Sequence, residues 1–301
     1  MSKERFASFD IGSNTILMLI VEKDSNKLKV LRDEQAIARL GENVWETNSI
    51  SDEAIHRAEA ILKKFKSICD KVQVKKIFAI ASSAIREARN GKAVAGALSN
   101  ILDTEINIIS GNKEAELSYL GTVENEEPSL VIDIGGGSTE IIIGHKGKIH
   151  FKQSIPIGVV KLTEKYFSNH PPKETEIQAM RAFICDILQG VPKVDEKFSI
   201  YAVAGTPTTL AAVHIGIKDY NSELVNHHKL ELSSIQKITN RFLKLTVPEI
   251  TQNYGIEPMR ADVISAGSII LEECLSYLQR DYCIVNVYGL RLGVLKEQLI
   301  D

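Results

Sequence analysis

The feature that most constrains this chain is a short motif present twice. Phe9-Asp10-Ile11-Gly12-Ser13-Asn14-Thr15 returns as Ile132-Asp133-Ile134-Gly135-Gly136-Gly137-Ser138-Thr139. Each copy follows a short apolar run and leads into another, Ile16 to Val21 in the first case and Ile141 to Ile143 in the second. The unit reads as strand, aspartate, glycine-rich hairpin turn with hydroxyls, strand. One such turn is ordinary hairpin chemistry, with the aspartate capping its own turn. Two predict a duplicated domain with an anion-binding hairpin in each half. Facing one another, such loops would grip a polyphosphorylated ligand.

Composition sets the frame for that reading. A chain of 301 residues, 44% apolar and 25% charged, suits a water-soluble protein with two cores. A formal charge of −3 gives no global attraction to nucleic acid or to an acidic membrane. A polyanion must therefore be held by local cations or a metal. Cys69, Cys185, Cys274 and Cys283 lack C-x-x-C or histidine spacing and read as free thiols of a reducing compartment. No signal peptide is expected, since the first strand begins at once, and no apolar run approaches the ~18 residues of a membrane span. The expected location is the cytoplasm.

Along the chain, Lys27 to Asp33 reads as a third strand. Ser51 caps a helix whose apolar face is Ile55, Ala58, Leu62, Phe65, Cys69 and Val72. A strand at Ile77 to Ala81, a helix at Ala93 to Leu102, a strand at Ile106 to Ile109 and a helix at Glu114 to Val123 follow. The polar run Glu124 to Pro128 is the linker candidate. The strand–hairpin–strand unit then restarts, with Ile149 to Ser154 as its third strand. Two helices flank His170-Pro171-Pro172, a strand at Ser199 to Ala204 meets Gly205-Thr206, and one more strand lies at Cys283 to Val287. The reading is α/β with two domains, residues 1–124 and 125–301, the last helix free to pack back on the first.

Three constellations carry chemistry. Glycine, serine and threonine in the hairpins (Gly12, Ser13, Asn14, Thr15; Gly135, Gly136, Gly137, Ser138, Thr139) can turn several backbone N–H groups into one concavity. No Lys-Ser/Thr follows the glycines, so neither is a Walker loop. Asp10 and Asp133 end the first strands, where they can reach a cation on the phosphates, and Glu140 can share it. Hard carboxylate oxygens suit Mg²⁺. Arg86, after the strand that ends at Ala81, is either a phosphate clamp or a solvated arginine. Glu114 is either a base that orients water or a first-turn acid favoured by the helix dipole. The adjacent His227 and His228 read as solvent-facing.

In this order, the segments resemble the exopolyphosphatase / guanosine-pentaphosphate phosphohydrolase family of the actin–Hsp70–sugar-kinase superfamily. The matching stretches are Asp10 to Thr15, Ser83-Ala84-Ile85-Arg86, Ile109 to Ala115, Val131 to Glu140, Pro156 to Glu164, Ala204-Gly205-Thr206, Arg260 to Ile264 and Gly289-Leu290-Arg291. The resemblance implies two duplicated ribonuclease-H-like (actin-like ATPase) domains, each a mixed five-stranded sheet flanked by helices. It implies Glu114 as catalytic base, Arg86 as phosphate-gripping arginine, and Asp133 and Glu140 near a Mg²⁺. The two hairpins would be its phosphate loops, and Gly205 and Thr206 belong to a further matching turn assigned to phosphate.

The substrate implied is inorganic polyphosphate or pppGpp, with no nucleic acid or membrane partner and a homodimer as the protein partner. A non-catalytic sensor and a superfamily kinase are the readings of other kinds. Three departures stand out. Lys113 occupies a position where the family often has a second glutamate. The Asn286 to Gly293 stretch lacks the acids that usually surround Gly-Leu-Arg. The chain also lacks the C-terminal helical domains of long members, so processivity on long polyphosphate is not expected.

Overall fold

The structure is a computed structural model and describes residues 4–300. The chain divides into two compact units: residues up to Gly121 together with those from Gly289, and Thr122–Tyr288.

The first unit opens with β1 (Glu4–Ile11), β2 (Thr15–Asp24) and β3 (Lys27–Ile37), a meander of antiparallel strands. After α1 (Val44–Thr47) comes α2 (Asp52–Lys71). Ser51 caps α2 by accepting the Ala54 amide at 3.3 Å. Its buried stripe is Ala54, Ala58, Leu62, Phe65 and Cys69, at steps of three and four, which lays one face of the helix on the sheet. Then follow β4 (Lys76–Ala81), α3 (Ser83–Glu87), α4 (Gly91–Leu102), β5 (Ile106–Ile108) and α5 (Gly111–Thr122). β4 and β5 add in parallel, giving the order β3-β2-β1-β4-β5. The parallel pairs need helical crossovers, and α2, α3 and α4 supply them.

The second unit repeats the plan with β6 (Ser129–Ile134), β7 (Thr139–His145), β8 (Lys148–Ile155), α6 (Val159–Tyr166), α7 (Glu174–Leu188), β9 (Ser199–Val203) and α8 (Gly205–Ile215). It continues with α9 (Ser222–Val225), β10 (Lys229–Glu231), α10 (Leu232–Phe242), α11 (Val247–Tyr254), α12 (Pro258–Tyr277) and β11 (Tyr282–Asn286). The strand order is β10-β11-β9-β6-β7-β8. Five of these strands reproduce the first sheet, and β10 adds a sixth, antiparallel to β11. The resemblance implied five strands in each sheet; β10, three residues long, is the addition in the second. Helices α1 and α3 are too short to show a helical period.

The last helix, α13 (Gly289–Leu299), belongs to the first unit. The division after Gly121 falls a few residues before the polar run that the sequence marks as a linker, and that run leads directly into β6. Both cores take alternate residues of the early strands: Ala7, Phe9 and Ile11 in one, Leu130, Ile132 and Ile134 in the other. With a period of two, Asp10 and Asp133 are left on the opposite face of their sheets. No described helix is long and apolar enough to cross a membrane, and all four cysteines are free thiols.

Candidate phosphate site

The two hairpins share one backbone construction. Ile11 pairs with Ile16 and Ile134 with Thr139, leaving four-residue loops. Each is closed by its first glycine, Gly12 N–H to Thr15 O at 3.1 Å and Gly135 N–H to Ser138 O at 2.9 Å. A Cβ on either glycine would lie 3.0 Å from that carbonyl oxygen, tighter than ordinary contact, so glycine suits both turns.

The loop carbonyls are taken from behind. In the first hairpin, Asn14 O accepts the amides of Ala38 and Arg39 at 3.1 and 2.9 Å, and Ser13 O accepts that of Gly41 at 2.7 Å. In the second, Gly135 O accepts Val159 N–H at 3.0 Å and Gly136 O accepts Val160 N–H at 2.9 Å. Those are first-turn amides of α6, which has no side-chain cap, so the hairpin satisfies donors that the helix cannot. Among the described residues, no acceptor takes the amides of Ser13, Asn14, Gly136, Gly137 or Ser138. The polarity of both loops is that of an anion nest: oxygens engaged inward, N–H groups left over. Asn14 Oδ1 is likewise buried with no hydrogen-bond partner among the described residues.

In the first unit the hairpin is tied to the other predicted residues. Ser13 Oγ lies 2.7 Å from Ser83 Oγ and accepts the Ala84 amide at 3.0 Å, which fixes the start of α3. One turn later on that helix, Arg86 Nη1 donates to Glu114 Oε2 at 3.1 Å and to the Ile109 carbonyl at 2.9 Å. Glu114 stands in the first turn of α5 and is buried, and Arg86 is its countercharge. Arg86 is thus no solvated surface arginine. Hairpin, Arg86 and Glu114 form one connected set, with Asp10 at the end of β1.

Neighbouring residues on a helix point in different directions, and the Lys113 ammonium pairs with Glu297 on α13 and, at 3.8 Å, with Glu116. Asp33 on β3 takes the buried Arg291 guanidinium through both oxygens, at 2.7 and 2.9 Å.

In the second unit, Asp133 and Glu140 are direct cross-strand partners, and Glu140 is in turn opposite Ser154 on β8. Partners in register share a face, so the two carboxylates are neighbours. Glu140 Oε1 accepts hydroxyls from Ser138 at 2.8 Å and Ser154 at 2.6 Å, which fixes its orientation. No group of three or more His, Cys, Asp or Glu suited to a metal occurs among the described residues. A pair of carboxylates still fits Mg²⁺, which keeps several waters and takes one or two protein carboxylates.

Gly205 and Thr206 open α8, preceded by Ala204 at φ 76°. A non-glycine residue there stores on the order of 1–3 kcal/mol of strain. The Arg260 guanidinium lies against Gly205, where a Cβ would come within 2.4 Å of Nη1, and burial lowers its pKa from the usual arginine value. Thr206 is buried, with Oγ1 against Gly267 of α12. His227 is exposed, whereas His228 hydrogen-bonds His214 at 2.9 Å. Sequence reasoning assigned no role to Ser83, Ser154, Gly158 or Arg260. Ser83, Gly158 and Arg260 lay inside matching stretches, while Ser154 acts through Glu140, fourteen residues away.

Two mixed sheets with a shared strand plan, each flanked by helices, define the class as α/β with a repeated unit, and the comparisons narrow it. The model of the Ppx/GppA phosphatase family matches residues 19–300, and the chain belongs to that family. It is 34% identical to a bifunctional 3-dehydroquinate synthase/phosphatase of Fusobacterium nucleatum, over 97% of this chain and 46% of that protein. The chain thus spans about half the length of that relative. It is 28% identical to exopolyphosphatase 2 of Mycobacterium tuberculosis, over 91% of this chain and 90% of that one. The crystal structure of the Aquifex aeolicus Ppx/GppA family member superposes with a TM-score of 0.83 at 31% identity, covering 99% of this chain and 98% of that one.

Proposed function

We propose that this protein is an exopolyphosphatase, hydrolysing the terminal phosphoanhydride of inorganic polyphosphate. The observation that carries the reading is the linked set of the first unit: an anion nest joined through Ser13 and Ser83 to the helix bearing Arg86, which holds the buried Glu114. Family membership and the mycobacterial exopolyphosphatase relative support it.

In this reading Glu114 orients the attacking water and accepts its proton, after Arg86 has turned toward a phosphate oxygen. The loop amides of each unit receive phosphate oxygens. Asp133 and Glu140 would hold Mg²⁺, which supplies charge neutralisation to the phosphates when bound. Most of the acceleration then comes from positioning and electrostatics, as is general for phosphoryl transfer.

Hydrolysis of pppGpp at its 5′ end is the second reading, in keeping with the family's double name. The test is Mg²⁺-dependent phosphate release from long polyphosphate, short polyphosphate and pppGpp at matched chain-end concentration, with Glu114→Gln beside the wild type. Release from polyphosphate that vanishes in the variant supports the proposal. Release from pppGpp alone replaces it with the second reading, and binding without release refutes the enzyme.

A further inference from the structure

α13 touches α5 at several points, although the two helices are far apart in the chain. A Cβ on Gly121 would lie 1.8 Å from Gly289 O, and one on Gly293 would lie 1.8 Å from Leu117 O. The backbones touch, and only glycine permits it. At the far end of α5, Lys296 Nζ donates to Leu120 O at 3.0 Å, and at the near end Glu297 holds Lys113, the residue before Glu114. α13 is itself anchored to the sheet: Ser8 Oγ donates to Arg291 O at 2.8 Å, and Arg291 holds Asp33. β1, which bears Asp10 and the first hairpin, is therefore coupled through α13 to the helix bearing Glu114.

We propose that Lys113 and Glu297 are positioning residues that set the rotation of the first turn of α5, and with it the reach of the Glu114 carboxylate. Ser110 caps that turn by accepting the Lys113 amide at 3.2 Å, and a lysine there opposes the helix dipole. Its charge has another use in the pair with Glu297. Both side chains are 38% exposed, and an exposed ion pair adds little to stability. Loss of the pair should therefore be felt in geometry and barely in folding. The effect on turnover rests on the hydrolase reading; the effect on α5 does not.

The experiment is a charge-swap cycle of Glu297→Lys, Lys113→Glu and the double variant. Its readouts are kcat, KM, Tm and hydrogen exchange at the α5 first-turn amides. Glu297→Lys is the cleaner single variant, since it repels Lys113 without changing a charge adjacent to Glu114. The expected result is a kcat lower by roughly tenfold with KM and Tm nearly unchanged, faster exchange at Glu114, and recovery of both in the double swap. Unchanged kcat and exchange in Glu297→Lys, or failure of the double swap to restore them, overturns the proposal. If the wild type releases no phosphate, the hydrolase reading fails and exchange alone decides the positioning role. Faster exchange in Glu297→Lys, reversed by the double swap, then upholds it; unchanged exchange refutes it.

Discussion

The two hairpins have the same backbone and different side chains. Both follow Asp-Ile-Gly, close with the same hydrogen bond and leave loop amides over. The first then carries Ser13, Asn14 and Thr15, and the position paired with Asp10 is Leu17. The second carries Gly136, Gly137 and Ser138, and the position paired with Asp133 is Glu140. Only the second therefore has a cross-strand carboxylate pair. Only the first is linked by a serine to the helix that carries Arg86, and so to Glu114. The repeat keeps the backbone of the hairpin, while Glu114, proposed as base, lies in the first unit and Asp133 and Glu140, proposed as metal ligands, lie in the second.

That division is open to attack, first at the base. Glu114→Gln should lower phosphate release by roughly 10²–10⁴-fold, measured at saturating Mg²⁺; turnover near wild type would take the base away from the first unit. Next, Glu140→Leu gives the second hairpin the side chain type of the first. It should raise the Mg²⁺ concentration for half-maximal activity roughly 10–100-fold, while Leu17→Met should leave that midpoint where it was. Equal shifts in both would erase the asymmetry.

The bracing of the loops gives a smaller contrast. A Cβ on Gly158 would meet Gly136 O at 2.3 Å, all backbone, whereas one on Gly41 would meet the Ser13 side chain at 2.9 Å. Gly158→Ala should cost about 1–3 kcal/mol in denaturant unfolding and Gly41→Ala less; the reverse order would contradict the tighter seat of the second loop. The smallest contrast is between the serines. Ser13→Ala removes the acceptor of a buried amide and should cost about 1–3 kcal/mol. Ser138→Ala leaves Glu140 its bond to Ser154 and should cost about 0.5–1.5 kcal/mol. Equal losses would mean that the Ser13 link has no special weight.

Much of this was legible because local rules and tertiary demands agree. The Asp-Ile-Gly turns, the stripe of α2 and its Ser51 cap follow from residue spacing alone. The placing of Asp10 and Asp133 at the ends of the first strands follows from the same turns. Helices α1 and α3, of four and five residues, are too short to show a helical period, and β10 lacks the apolar run that marks the equally short β5. Arg86 and Glu114 were each ambiguous in isolation, and their 3.1 Å contact made them one feature.

The sequence by itself determined the duplicated strand–turn–strand units and the residue types able to bind phosphate, because turn chemistry and side-chain alternation act over a few residues. The tertiary structure alone decided who meets whom. It turned Lys113 to Glu297, brought Asp33 to Arg291, set Ser154 on Glu140 and brought α13 to α5. Those contacts join residues separated by 14 to 258 positions. They depend on sheet register and on glycines that let backbones touch, neither of which leaves a local mark in the chain.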